Sequence, residues 1–196
     1  MVEQNQSQPL SLAIVPSSFT TAKPDDPNLV QGVLRIKSSL RHINVAIHNS
    51  SKYLVRLWDE NNSWGFDNLH LEITALADEP DDKLVSLEKP IIVKRNGGVG
   101  WSANFPQVCP LPPGEILVRD VELPVKKDNK LTRLSAWSYL DFPLPEGALH
   151  KKMRMQAVFT IPEDDSTKTY HVWTGRIVSP VSTYLVRQET VEVWRP

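Results

Sequence analysis

The chain has 196 residues and a formal net charge of −1, with 40% apolar and 23% charged residues, which are ordinary values for a soluble globular protein. The near-neutral charge provides no electrostatic attraction to nucleic acid, so we expect no nucleic-acid partner. The single cysteine, Cys109, excludes an intrachain disulfide.

The amino terminus and the hydropathy of the chain predict a cytoplasmic protein without a membrane span. Residues 1–9 are polar and rich in Gln, and we expect a flexible arm before a single domain over residues 10–196. No basic start leads into an apolar run, and no apolar segment reaches the roughly 20 residues needed to cross a bilayer. A mature secreted fragment with a new start codon would have the same features.

Short apolar segments between polar turns predict β-strands along the chain. Leu10–Val15 ends at Pro16 and is expected at a sheet edge, because proline cannot donate to a central ladder. In 42–48 and 69–73 apolar and polar residues alternate, as they do on a half-buried strand. The intervening segment 53–58 is more continuously apolar, which is typical of a central strand.

Further strands and turns follow the same pattern. The other predicted strands cover residues 30–37, 90–95, 116–123, 153–159, 170–178 and 181–194. In 116–123 the apolar phase slips between Val118 and Val121, as it does at a β-bulge. Residues 163–166 are predicted to form a turn, and 128–140 has the spacing of a short helix or of an irregular connection. About eight to ten short strands predict an all-β fold, an antiparallel β-sandwich.

Several segments of the sequence resemble segments of a known fold. Residues 111–115 (LPPGE), 144–147 (LPEG), 153–159 (MRMQAVF) and 173–181 (WTGRIVSPV) resemble the second half of an immunoglobulin-like β-sandwich. The turn at 49–51 is similar to one in the first half. The antibody-type disulfide is absent because the chain has one cysteine. The resemblance implies a fold and no particular activity, since such sandwiches host many functions.

A polar loop at 59–67 is the main candidate for a functional site. Its carboxylate and amide oxygens are ligands that calcium prefers, although their spacing does not match an EF-hand. A solvated turn whose asparagines bond their own backbone, and a loop that binds a partner, are the alternatives. The candidate binding residues are Asp59, Glu60, Asn61, Asn62, Trp64 and Asp67, together with Trp101 from a second loop.

Five of the six tryptophans divide into two groups by their sequence context, and the sixth, Trp194 near the end of the sequence, is expected to cover a sheet edge. Trp64 and Trp101 lie in loops rich in Gly and Asn and are predicted to be exposed or half-exposed, where a ring can stack on a sugar or anchor an interface. Trp58, Trp137 and Trp173 lie in or beside apolar segments and are predicted to pack in the core.

Catalytic and zinc chemistry receive little support from the sequence. A zinc site would require His70 and Glu72 to approach His42 or His48, and an outward-facing wet strand is the simpler interpretation. Cys109 has no histidine near it in sequence and is not predicted to be a nucleophile. We therefore assign no catalytic residue, metal ligand or cofactor, and calcium is the one ion kept as an alternative.

These observations favour a non-catalytic binding module of immunoglobulin-like type that recognises a protein partner through its loops or a sheet edge. The first alternative is a carbohydrate-binding module that uses Trp64 and Trp101 as stacking platforms, with calcium in the 59–67 loop. The second alternative is an enzyme whose site assembles only in three dimensions.

Overall fold

The computed structural model describes residues 8–16, 18–19, 30–37, 41–75, 90–94, 104–123 and 150–189. The strands and the short helix in these ranges are, in chain order, β1 (Leu10–Val15), β2 (Ser18–Phe19), β3 (Val30–Lys37), β4 (Arg41–Asn49), β5 (Val55–Trp58), β6 (Leu69–Ala75), β7 (Ile91–Lys94), β8 (Val108–Leu111), β9 (Ile116–Leu123), β10 (His150–Ile161), α1 (Asp165–Tyr170), β11 (Gly175–Val178) and β12 (Ser182–Glu189).

The strands form three sheets, which we name A, B and C. Sheet A has the order β1-β4-β9, sheet B has the order β2-β3-β12-β10-β6-β7 with β11 also paired to β10, and sheet C contains β5 and β8. Among the described strands every pair is antiparallel except β3 with β12, which is parallel. The prediction of an all-β protein is confirmed. The strands are mostly antiparallel, and the parallel pair is a departure from the antiparallel sandwich that the sequence predicts.

The three strands with the clearest sequence pattern do not pair with one another. β4 lies in sheet A, β5 in sheet C and β6 in sheet B. β4 and β6 each follow their own alternation, as on β4, where Ile43, Val45 and Ile47 are completely buried. Alternation determines which face of a strand is buried, and it contains no information about the neighbouring strand.

The inward faces of the three sheets share one apolar core. Sheet A contributes through β1, β4 and β9, sheet C through both of its strands, and sheet B through β6, β7, β10, β11 and β12. Burial of each large aliphatic side chain contributes about 1.5–3 kcal/mol. The largest fully buried side chains are Ile43, Ile47, Leu57, Leu71, Met153, Met155, Ile161, Val45, Val93 and Val121.

β11 and β12 lie one after the other along the same edge of β10, with an irregular step between them. Ser179 N donates to Ala157 O (2.9 Å), but Ala157 N donates to Ser179 Oγ (2.9 Å) rather than to the Ser179 carbonyl. That carbonyl accepts instead from Gln156 Nε2 (2.9 Å). Pro180 follows, and it has no N–H to leave unsatisfied. The serine hydroxyl therefore continues the ladder across the step.

Helix α1 occupies a place where the sequence predicts a turn and the start of a strand. Asp164 accepts from Thr167 N while the Thr167 hydroxyl accepts from Asp164 N, which forms a reciprocal cap. The helix ends at His171 in the left-handed region (φ 53°). The prediction of a strand from Tyr170 is therefore wrong at its start, because the strand begins at Gly175.

Strand β9 pairs with β4 in unbroken register, so the predicted bulge is not found. Each residue from Ile116 to Leu123 has one partner on β4. The slip in apolar phase has a different cause. Val121 is buried on the inner face, whereas Ile116 and Val118 are 57% and 53% exposed on the outer face.

Some predictions lie outside the described residues: the helix at 128–140, Trp101, Trp137 and residues 1–7 of the amino-terminal arm. The single domain over 10–196 stays a prediction. Within the described ranges, no helix has the length and apolar character that crossing a bilayer requires.

Candidate functional site

The predicted loop connects β5 to β6 and is organised by one buried side chain. Asn62 is only 4% exposed. Its Oδ1 accepts from the backbone N–H groups of Trp64 and Gly65, both at 3.0 Å, and its Nδ2 donates to Gln107 O at 3.2 Å. All three contacts satisfy backbone groups of the loop or of the segment beside it. Asn62 therefore acts as an internal support for the backbone.

The loop also folds closely back on its first residue. Asp59 Oδ1 accepts from Asn61 N at 2.7 Å. Gly65 is so near the backbone of Asp59 that a Cβ atom at this position would lie 2.0 Å from the Asp59 carbonyl oxygen. Asp59 and Asn62 thus behave as the turn alternative expects, with their oxygens bonded to local N–H groups. Asn61 and Asp67 are exposed.

Aromatic rings connect the loop to the core. Trp64 is half-buried, and its ring centroid lies 6.0 Å from that of Trp58, which is 3% exposed. Trp58 in turn contacts the edge of Tyr170 at 5.6 Å. The prediction that Trp58 packs in the core is confirmed, and Trp173 packs against the core while stacked on Phe159.

A second loop segment, 104–107, lies against the first. Ser63 N donates to Asn104 Oδ1 (3.1 Å), and Asn104 Nδ2 donates back to Ser63 Oγ (2.7 Å). Phe105 is 76% exposed beside this pair of bonds. Sequence reasoning did not select Phe105, although its position between Asn104 and Pro106 marks it as a loop residue.

An ion pair joins the loop to sheet A. Arg119 Nη1 lies 2.8 Å from Glu60 Oε1, with the two side chains 11% and 28% exposed. Arg119 lies on the same face of β9 as buried Val121, so the guanidinium reaches the loop from the inner side of the sheet. The structure thus brings the loop candidates together as one folded unit.

The histidines considered for a zinc site lie in two different sheets. His48 is on β4 in sheet A, opposite Ile116. His70 and Glu72 lie on β6 in sheet B, with Nε2 and Oε1 3.7 Å apart. Across the ranges that the structure describes, no three His, Cys, Asp or Glu side chains are grouped closely enough to hold a metal ion.

The acid sensitivity of the fold is expected to depend on His70. Burial lowers the pKa of His70 from its ordinary value of 6.5; Glu72 opposes this effect, and Arg176 and Lys94 add to it. The unfolded chain takes up this proton at a higher pH than the folded chain does, so the free energy of unfolding falls as the pH drops through about 6.5. Urea unfolding from roughly pH 7.5 to pH 5.5 should show a shallower decline for His70→Gln than for wild type. Equal slopes would contradict the assignment.

The outer face of sheet A is the other notable surface. Ile116 stands opposite His48, and Val118 stands opposite Ala46, which is itself opposite Ala13. The small side chain of Ala46 leaves Val118 uncovered by its partner, and both Ile116 and Val118 are more than half exposed. In the described part of the chain, no strand pairs with β9 on the side away from β4. We name Ile116, Val118 and this open edge the β9 surface.

No protein-family model, curated protein or solved structure matches this chain.

Proposed function

We propose that the protein is a non-catalytic binding module, with an immunoglobulin-like sandwich as its scaffold, that recognises an extended segment of a partner protein through the β9 surface. The observation that supports this proposal is the pair of raised apolar side chains, Ile116 and Val118, on an edge strand of eight residues. Exposed apolar side chains of this kind are found where another surface covers them.

An open strand edge is suited to bind a further strand. Its N–H and C=O groups provide main-chain hydrogen bonds to an extended segment, and alternate side chains provide specificity. The opposite edge strand, β1, is less available, because prolines precede and follow it at positions 9 and 16 and it lies beside β10 and β11. The partner segment is therefore expected to be extended, with apolar side chains at alternate positions.

The loop at 59–67 gives weaker support to the carbohydrate and calcium alternatives. Trp64 packs on Trp58, which occupies part of its ring, and Asp59 Oδ1 and Asn62 Oδ1 are bonded to backbone N–H groups. Phe105, 76% exposed beside the loop, is an aromatic ring that a sugar could reach, as are Tyr53 at 78% and Tyr170 at 38% elsewhere in the described residues. Near the loop, the carbohydrate alternative rests on Phe105 rather than on Trp64.

The test compares two apolar-to-lysine variants on edge strands. Val118→Lys introduces a charge on the β9 surface, and the matched control Ile92→Lys introduces one on β7, where Ile92 is 54% exposed. Proteins captured by the wild type are identified by quantitative mass spectrometry. Segments of the captured proteins are then synthesised as peptides and their affinities are measured.

We expect Val118→Lys to weaken peptide binding at least about tenfold, while Ile92→Lys binds as the wild type does. Amide hydrogen exchange along β9 should slow when the peptide binds, because main-chain bonds to the peptide would protect the N–H groups on the edge of β9 away from β4. Equal loss in both variants, or unchanged exchange along β9, would refute the proposal.

A further inference from the structure

We infer that a cavity between helix α1 and the start of β5 binds a small organic anion with an apolar or aromatic body. The cavity has a volume of about 490 Å³, which is within the range of small-molecule sites. None of its lining residues belongs to the 59–67 loop or to the β9 surface. Its position follows from the way the chain leaves the helix.

The wall formed by residues 171–174 is held in place by main-chain bonds. Val172 N donates to Thr167 O (2.9 Å), and Trp173 N donates to Arg56 O (2.8 Å) on β5. His171, in the left-handed conformation, makes the sharp turn from the end of helix α1 into this wall. The cavity is therefore formed before any ligand arrives, which lowers the conformational cost of binding.

The charge in the cavity favours an anion. Arg56, Lys168 and His171 all contribute to the lining and are exposed, and Glu163 is the one carboxylate among the lining residues. Glu163 already pairs with Lys168 at 3.0 Å. In the described part of the chain no acidic side chain is bonded to Arg56, so its guanidinium is available for bidentate binding of a carboxylate, sulfonate or phosphate.

The apolar part of the lining favours a ligand with a hydrocarbon or aromatic body. Leu54, Val55 and Val172 line the cavity together with the half-buried Trp173. The indole of Trp173 is held in place by stacking on Phe159, with ring centroids 6.2 Å apart. A few charged groups beside an aromatic wall are the usual composition of a site for an amphipathic small molecule.

The test uses naphthalene-2-sulfonate as the anionic probe and neutral naphthalene-2-sulfonamide as its matched analogue, with inorganic phosphate as a third probe. Each is titrated to about 10 mM while backbone amide chemical shifts are recorded. We expect saturable shifts at Arg56, His171 and Trp173 with the sulfonate, and at least about tenfold weaker binding of the sulfonamide. Saturable shifts with phosphate, which has no apolar body, would show that the apolar wall is not required for binding. That result would refute the assignment to an amphipathic ligand.

Two variants and a control locate the binding. Arg56→Gln is expected to weaken sulfonate binding about tenfold, and Leu54→Ser to weaken it several-fold. Lys152→Gln removes one charge from an exposed position outside the lining and should leave the affinity unchanged. All three replaced side chains are exposed, so the variants should fold. Absence of saturable shifts, or equal affinity in Arg56→Gln and wild type, would overturn the inference.

Discussion

Replacement of Asn49 by Leu is expected to lower the free energy of unfolding by about 3–5 kcal/mol, among the largest single-residue effects in the described part of the chain. Asn49 is completely buried. Its Nδ2 donates to Tyr53 O (2.8 Å) and Leu111 O (2.9 Å), and its Oδ1 accepts from Ser51 N (3.0 Å) and Ser51 Oγ (2.7 Å). Leu has a similar size but can form none of these four bonds, so Ser51 N and Leu111 O each lose a bond, while Tyr53 O keeps only the bond from Ser51 Oγ (3.1 Å).

The measurement is urea-induced unfolding, and a second replacement separates hydrogen bonding from packing. Asn49→Asp keeps the shape of the side chain but replaces the donor Nδ2 by an oxygen that faces two carbonyls, so it should also destabilise strongly. Asn61→Ala, at an exposed position, should change the stability by less than about 0.5 kcal/mol. A loss below about 1 kcal/mol in Asn49→Leu would show that water replaces the missing bonds.

Replacement of Gly65 by Ala is expected to cost about 3 kcal/mol, at the upper end of the range for overpacking. The added Cβ would lie 2.0 Å from the Asp59 carbonyl oxygen and 2.6 Å from its carbon. Both atoms are backbone, so no side chain can rotate away to make room. The loop cannot move outward either without breaking the bonds from Asn62 Oδ1 to the N–H groups of Trp64 and Gly65.

Gly114→Ala is the matched control for this prediction. Gly114 has a positive φ of 76°, but a Cβ atom there would have nothing within 4 Å. Alanine at that position carries only the conformational penalty of the left-handed region, about 1–2 kcal/mol. Thermal or urea unfolding should therefore rank Gly65→Ala as clearly less stable than Gly114→Ala. The reverse order would mean that the loop relaxes around the new methyl group.

The sequence was sufficient to predict most strands and the faces that they bury. The alternation of Ile43, Val45 and Ile47 predicted which side of β4 meets the core, because the strand period is two residues. It could not predict that β4, β5 and β6 lie in different sheets, since pairing is decided by contacts between residues far apart in sequence. The parallel pairing of β3 with β12 could not be predicted from the sequence for the same reason.

The candidate site was only partly predictable. The residue types in 59–67 indicated a special loop, but they did not reveal that Asn62 points inward or that Trp64 packs on Trp58. Helix α1 was missed because six residues are too few for an apolar periodicity to emerge, although the cap at Asp164 was readable. On β9 the slip in apolar phase has a structural cause. Two apolar residues face outward, and the strand has no bulge.

The step at Ser179 has a consequence for how insertions and deletions are tolerated. On β11, before the step, the inward-facing residues have odd numbers, and Ile177 lies opposite Phe159. On β12, after the step, the inward-facing residues have even numbers, and Tyr184 lies opposite Met153. The segment between β11 and β12 therefore holds one residue more than an unbroken ladder along β10 would need. Loss of one residue there would leave Tyr184 opposite Met153 and still directed into the core, whereas loss of one residue within β12 would turn the residues that follow it to the other face or shift them against β10. A deletion is thus expected to be tolerated better at this step than inside the strand.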